Sequence, residues 1–552
     1  MKIFKFIFSL SASLLLTAGL LFPTKIYAQS ADFKALKSLD IYYSVLRELS
    51  LFYVDSVQID QLVDESIHSM LKELDPYTIY MPEDLAEDFD IITTGRYGGI
   101  GSLIKKVPNG IEISEPYKGF PADRAGLVAG DIILEIDGES TFDMDATLAS
   151  KKMKGIAGTK VSFKILKLRT KETVSLDIIR EQIHISDVTF GSILGNGVGF
   201  IHLSSFSANG SRDFRNTFTA LKKQGMTRLI LDLRSNDGGL IDEAVNIVGC
   251  FVPRGSTVVT SRGRVQGFDM SYKTKEEPLD VHIPIAVLVN NNSASASEIV
   301  AGALQDFDRA LILGTRTFGK GLIQTVRGLG YNAQLKITTA KYYIPSGRCV
   351  QAIDYSHRNE DGGVEYVPDS LRKEFQTKGG RKVYDGGGIT PDIVIEPETY
   401  ERIVYSALSR DLIHDFSLQY YIKHEHIAAP EDFELSDSDY ESFTQFMADK
   451  PFDDKTNSEI ILERLILAIN DEHLGESTKD EIALLEKKIN HDRESKLRRF
   501  KNEFKPMIEQ EIVARYYYQE GRLRAIIRHD SQVKKAVEIM SNNDTYFEAL
   551  SL

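Results

Sequence analysis

Two short segments hold residues whose types and spacing could build a nucleophile. The first is Asn292-Ser293-Ala294-Ser295-Ala296-Ser297-Glu298-Ile299. It follows the apolar run Ile283 to Val289, so it predicts a buried strand, a turn through Asn290-Asn291-Asn292 and a helix from about Ser295 to Gln305. A serine at a helix start sits beside backbone N–H groups that lack intrahelical partners, which suits a developing oxyanion. Small alanines on either side leave room for a substrate backbone. The same letters fit a plainer role, because Ser295-x-x-Glu298 is also a capping box in which serine only closes the helix end.

The second segment is Thr317-Phe318-Gly319-Lys320-Gly321. A lysine whose burial keeps it partly neutral can act as general base for a serine. The flanking glycines permit a tight backbone path that aims the side chain inward. Left in solvent, Lys320 would be an ordinary turn residue. Gly314-x-x-x-x-Gly319-Lys320 also matches most of a phosphate-binding loop, but Gly321 occupies the place of the magnesium-binding Ser or Thr, and no convincing helix follows. His202 and His282 could suggest a Ser–His–Asp triad, yet neither sits in a motif that supports one. A third segment, Asp232-Leu233-Arg234-Ser235-Asn236-Asp237-Gly238-Gly239, ends a predicted strand in a glycine-rich turn.

These segments need elements to position them. Residues 185–397 alternate strand-like runs with helical ones: Gly197 to Ile201, a helix over Arg212 to Lys223, Leu229 to Leu233, a helix from about Ile241 to Phe251, the Ile283 run, and Ala310 to Leu313. That alternation predicts a sheet covered by helices with functional loops at strand ends. Before it, residues 33–75 read as helical, with Leu36, Leu39, Tyr42, Leu46 and Leu49 spaced as one buried face, ended by Asp75-Pro76. Residues 94–184 are β-rich, with short strands and Asp137-Gly138 as a turn. Residues 398–552 are mostly helical and charged, and Ser477–Arg499 reads as one solvated helix with an apolar stripe.

Two resemblances follow from these strings. Ala125-Gly126-Leu127 with Gly130-Asp131-Ile132, a strand and Asp137-Gly138 resembles a PDZ domain of the bacterial protease type. Such a domain adds a peptide strand to a sheet edge and holds its carboxylate on loop N–H groups. Tyr97-Gly98-Gly99-Ile100-Gly101 stands where that loop should lie. Ser-Ala-Ser-Ala-Ser-Glu at 293–298, Phe-Gly-Lys-Gly at 318–321 with Gln324, and the Asp-Leu-Arg-x-Asn-x-Gly-Gly segment together resemble the carboxyl-terminal processing peptidases. The resemblance implies a multidomain α/β and β chain: an α/β protease core of the ClpP/crotonase kind, with an inserted PDZ domain and helical ends. It implies a leader over 1–28, helices over 29–93, PDZ over 94–184, protease core over 185–397 and a C-terminal helical region over 398–552. It implies Ser295 as nucleophile, Lys320 as general base and Gln324 as the residue that orients the lysine. Ala296 with Gly238 or Gly239 would form the oxyanion hole, and Gly98, Gly99, Ile100 and Gly101 the carboxylate loop. Asp306 matches an accessory acidic position, though a charge so far along the helix suits structure better. Asp237 departs from the small residue or proline of the family.

The implied activity is exported serine endopeptidase, cutting proteins near C-termini after PDZ capture of an apolar tail. The rival from another class is a PDZ scaffold that binds without cutting. Partners would be protein substrates and a second copy of the chain. The formal charge of −14 over 552 residues argues against nucleic acid. No His/Cys spacing suggests a metal, and no cofactor is expected. Lys2 and Lys5, the apolar run Phe6 to Phe22 and small Ala28 read as an export leader, giving a periplasmic or envelope protein with at most peripheral membrane contact. The two cysteines, Cys250 and Cys349, leave a disulfide open.

Overall fold

The computed structural model describes residues 23–355, 363–489 and 491–550. The expected leader core, Phe6 to Phe22, lies outside them. The chain divides into two compact units, Met1–Tyr80 and Met81–Leu552. In the first, α1 (Pro23–Phe52) and α2 (Ile59–Lys72) form the described structure. Tyr42 and Ser66 share a hydroxyl hydrogen bond of 2.5 Å between these helices. The apolar stripe predicted to be a buried face is open in its first half, with Leu36 and Leu39 66% and 62% exposed, while Leu46 and Leu49 are half-buried.

In the second unit, α3 (Glu83–Thr94) leads into a small β domain. Its strands are β1 (Arg96–Gly99), β2 (Ser102–Val107), β3 (Gly110–Pro116), β4 (Ile132–Ile136), β5 (Lys160–Leu166), β6 (Thr173–Ile179) and β7 (Glu181–His184), with helices α4 (Pro121–Arg124) and α5 (Ala146–Met153). The sheet runs β2-β3-β4-β5-β6, every neighbour antiparallel. Inward-facing Ile111, Ile113, Ile133, Val161, Phe163 and Ile165 bury against Ala149 and Met153 of α5. The strands alternate because one sheet face is covered and the other is wet. Strands β1 and β7, at the start and end of this stretch, pair with each other. The domain is therefore closed at its own base, as an insertion must be.

The central sheet contains β8 (Val188–Ile193), β9 (Val198–Leu203), β10 (Arg228–Asp232), then β12 (Ile285–Val289), β13 (Leu311–Gly314) and β16 (Ile393–Val394), in that order. Here β8 is antiparallel to β9 and the remaining neighbours are parallel. A side sheet places β15 (Gln334–Tyr343) between β11 (Thr257–Gly263) and β14 (Leu322–Gly328). Parallel strands buried on both faces read as continuous apolar runs, which is why Ile285–Val289 carries no polar residue. On one face, Leu229, Leu231, Ile285 and Val287 pack under α6 (Gly210–Lys223), α7 (Ile241–Val248) and α8 (Ala296–Asp306).

The other face is covered from far along the chain. Phe200, Ile230, Ala286, Leu288, Leu311 and Leu313 pack against Val533, Ala536, Ile539, Met540 and Tyr546. These belong to the C-terminal helices α9 (Arg402–Ser409), α10 (Leu412–Lys423), α11 (Asp437–Met447), α12 (Asn457–Asp471), α13 (Lys479–Ile489), α14 (Arg493–Arg499), α15 (Lys501–His529), α16 (Ser531–Ser541) and α17 (Asn543–Ala549). The core expected to end at residue 397 thus takes its second helical layer from α16 and α17. The single helix expected over Ser477–Arg499 is two, because Asp492 caps α14 afresh, its carboxylate accepting the Ser495 N–H at 2.9 Å. Helices α9, α10, α11, α14 and α15 share a core built on Phe416, Phe443, Leu497, Phe504 and Ile508.

Candidate active site

Ser295 lies between β12 and α8 with φ 55° and ψ −111°. A non-glycine residue with positive φ costs about 1–3 kcal/mol and persists only where its surroundings impose it. A sharp strand-to-helix turn of this kind pushes a serine hydroxyl out of the fold. The flanking serines are different. Ser293 Oγ donates to the Leu233 carbonyl at 2.7 Å and Ser297 Oγ to the Asn236 carbonyl at 2.8 Å. Both are fully buried, whereas Ser295 is partly open to solvent. Two serines fasten the turn to the glycine loop, and the middle one, less buried, pairs with the Glu298 backbone in a capping box at the start of α8.

Glu298 imposes the turn. Its Oε2 accepts the Ser295 N–H at 2.9 Å, the bond expected of a capping box. The same atom accepts the Lys320 N–H at 2.8 Å, while Oε1 accepts the Thr317 hydroxyl at 2.6 Å and the Gly319 N–H at 2.7 Å. One wholly buried carboxylate therefore ties the serine turn to the lysine segment. Burial pushes its pKa up, against the downward pull of these four hydrogen bonds. All four partners donate, and only the ionised carboxylate accepts four without setting a proton against one of them. Gly319 has φ 89°, and a Cβ there would fall 2.3 Å from that of Ala352. Half-buried Lys320 then leads into β14.

The glycine loop closes the other side. Gly238 has φ 108°, and a Cβ on it would sit 2.8 Å from Ser295 Cβ and 2.9 Å from Ala296 N. No side chain fits at this close approach. Buried Asn236 holds the loop: its Nδ2 donates to the Leu203 carbonyl at 2.7 Å and its Oδ1 accepts the Gly238 N–H at 2.9 Å. Gly239 bridges to Phe206, whose carbonyl accepts the Leu240 N–H at 2.8 Å. Ala296 opens α8, where N–H groups lack intrahelical acceptors. Below the loop, Asp232 takes a forked ion pair from Arg234, and Arg234 reaches Asp530 before α16 at 2.7 Å.

Gln324 stands on β14, and its Nε2 donates to Thr338 Oγ1 of β15 at 3.2 Å. In the small β domain, Gly98 and Gly99 belong to β1, paired with Gln182 and Glu181. The loop proper is Ile100-Gly101, whose carbonyls accept the Ala122 and Tyr117 N–H groups at 2.8 and 2.9 Å. Gly99, Ile100, Gly101, Ile104, Met153 and Lys154 line a narrow cleft of about 40 Å3 between β2 and α5, and Gly98 lies outside that lining.

The Peptidase family S41 model matches residues 197–357, a PDZ domain model residues 112–167, and the C-terminal helical domain of probable PDZ-proteases residues 403–540. A carboxy-terminal-processing protease of Bartonella bacilliformis is 33% identical over 397 residues, 71% of this chain and 83% of that one. The chain belongs to the carboxy-terminal-processing protease family. A probable CtpA-like serine protease of Staphylococcus epidermidis is 33% identical over 319 residues, and the match spans 63% of its length. Among solved structures, a photosystem II D1 C-terminal processing protease aligns at 27% identity with a TM-score of 0.34, covering 64% of this chain and 92% of that one.

As a carboxy-terminal-processing protease the chain is a serine-type peptidase with a PDZ domain, and its remaining candidates sort by contact. Asp306 ends α8 in a buried pair with Arg348, 2.9 Å, and accepts the Ser346 N–H at 2.9 Å. His202 faces Thr189 at 2.5 Å, and burial lowers its pKa. His282 is exposed in the turn after Asp280, whose carboxylate accepts its N–H. Among the described residues no cluster of His, Cys, Asp or Glu is placed to hold a metal. Cys250 and Cys349 are free thiols. No helix among the described residues is long and apolar enough to cross a membrane. Sequence reasoning missed Glu298 as the tie to Lys320 and Asn236 as the loop's anchor. The capping-box spelling signalled half of the first, and nothing local signals the second.

Proposed function

We propose that this chain is an exported serine endopeptidase that cuts proteins near their C-termini, with Ser295 as nucleophile and Lys320 as general base. The observation that carries the reading is the Glu298 carboxylate shared by the Ser295 and Lys320 backbones. A serine on a strained turn and a lysine on the segment leading into β14, fixed to one rigid acceptor, suit the demand that nucleophile and base keep one mutual geometry.

The steps follow. Neutral Lys320 takes the Ser295 proton as Oγ attacks the scissile carbonyl. The N–H of Ala296, with that of Gly238 or Gly239, faces the oxyanion. Gly239 is the better placed of the two, because the Gly238 N–H is already spent on Asn236. Protonated Lys320 then gives its proton to the leaving amine, and water clears the acyl-enzyme by the reverse route. Gln324 would orient the lysine from β14. The Ile100-Gly101 loop and the cleft floored by Ile104 and Met153 favour capture of an apolar tail by its terminal carboxylate. The basic, apolar start of the sequence supports export to the periplasm or envelope. The exposed stripe of α1 supports a second copy of the chain as partner.

The test uses residues 29–552 against an unstructured protein with an apolar C-terminus. Cleavage should vanish in Ser295→Ala and in Lys320→Ala while circular dichroism is unchanged. Equal cleavage by all three proteins would end the dyad reading. Tail-peptide affinity without any cleavage by the unaltered chain would favour the scaffold.

A further inference from the structure

Glu298 joins the two halves of the site, and Tyr342 joins them a second time. Tyr342 lies near the end of β15 with 1% of its surface exposed. Its backbone N–H donates to the carbonyl of Gly321, the residue after Lys320, at 3.0 Å. Its hydroxyl donates to the carbonyl of Ser295 at 3.1 Å. That carbonyl also accepts the Ile299 N–H at 3.0 Å, the first hydrogen bond of α8.

The Ser295 carbonyl is one end of the Ser295–Ala296 peptide unit, and the other end is the Ala296 N–H. A trans peptide is planar, so fixing the direction of C=O fixes the direction of N–H. Hydrogen bonds accepted at the oxygen polarise the amide and strengthen its N–H as a donor. A phenol has one proton to donate, and here it goes to this carbonyl. The helix bond from Ile299 comes with any α-helix. The second bond, from a side chain on another sheet, does not. With Glu298 on the Ser295 N–H, the strained residue is gripped at both of its peptide groups.

We propose that Tyr342 is a positioning residue for peptide hydrolysis. Its hydroxyl aims and polarises the Ala296 N–H toward the oxyanion, and its backbone sets the spacing between the serine turn and the segment that carries Lys320. This rests on the reading of Ser295 as nucleophile and Ala296 as oxyanion donor.

The experiment compares the unaltered chain, Tyr342→Phe and Ser295→Ala. It measures kcat and KM on the same tail-bearing protein, affinity for a peptide aldehyde that forms a tetrahedral adduct, affinity for an unreactive tail peptide, and thermal midpoint. Losing a direct oxyanion donor costs about 10²–10³-fold in kcat. An indirect aim should cost on the order of tenfold. In Tyr342→Phe, kcat and aldehyde affinity should fall together by about that factor. KM, tail-peptide affinity and thermal midpoint should stay near those of the unaltered chain. A merely structural tyrosine would lower activity only in proportion to the folded fraction, with aldehyde affinity per folded molecule unchanged, and that result overturns the proposal. Unaltered kcat in Tyr342→Phe beside an inactive Ser295→Ala overturns it while leaving the dyad standing. An active Ser295→Ala would remove the dyad and this proposal together.

Discussion

At the scale of the residue, Glu298 does two jobs with opposite demands. The proposed catalytic geometry needs it ionised, because four donors converge on it. Folding favours its protonated form, because burial raises its pKa above the unfolded value. The sign follows by linkage. Its contribution to stability is fully present below the unfolded pKa and is lost as pH rises through the folded one. Activity should run the other way, falling as pH drops through a value above the ordinary carboxylate range. Glu298→Gln removes that ionisation. Its amide also turns a donor toward one donor pair, leaving N–H or O–H groups unsatisfied at about 1–3 kcal/mol each. The expected result is a fall of about a hundredfold or more in kcat with near-native circular dichroism. The difference in thermal midpoint between the two proteins should change with pH across the acid limb. A Glu298→Gln variant with unaltered kcat would show that the tie is ornamental.

At the scale of the element, α8 carries a carboxylate at its C-terminal end, where the helix dipole disfavours it. Arg348 and the Ser346 N–H offset that for Asp306. Removing one member of a buried pair strands the other, at about 3–5 kcal/mol. Asp306→Ala should therefore lower the thermal midpoint by several degrees while kcat per folded molecule holds. A catalytic Asp306 would instead lose kcat at constant stability. The elements around the site were the legible part of the sequence. Ile285–Val289 announces a doubly covered parallel strand by having no polar residue, and Asn290-Asn291-Asn292 announces its end. What stayed hidden was non-local. Nothing in the spelling of residues 293–298 reveals that Glu298 meets Thr317, Gly319 and Lys320, since helix capping alone explains its presence. The segment after Lys320 reads as no helix and is a hairpin strand, with Thr325 and Val326 paired across to Ile337 and Lys336, but its spelling does not reveal that Gln324 meets Thr338. The stripe of α1 shows the converse error: periodicity predicts an apolar face but not what covers it.

At the scale of the molecule, the C-terminal helices grip both the sheet and the PDZ domain. Arg515 of α15 donates to the Ser114 carbonyl at 3.1 Å, and His414 of α10 meets Glu112 at 2.8 Å. The Tyr518 hydroxyl, from a kink in α15, donates to Asp123 of α4 at 2.6 Å. Arg169 stacks on Tyr421 with 3.9 Å to the ring centroid. Cutting the chain after residue 397 would bare the sheet face around Phe200, Ile230 and Leu288. A patch of that kind drives association. The truncated protein should aggregate or lose cooperative unfolding, measured by size-exclusion chromatography and thermal melting. A soluble, monomeric, active 29–397 fragment would refute that. The same covering layer sets a clock during synthesis. Ser295, Lys320 and the glycine loop all leave the ribosome well before residues 531–550, and until those last helices arrive the sheet beneath the active site has one bare face. A half-made chain therefore carries an apolar sheet face that only its last-made residues can cover.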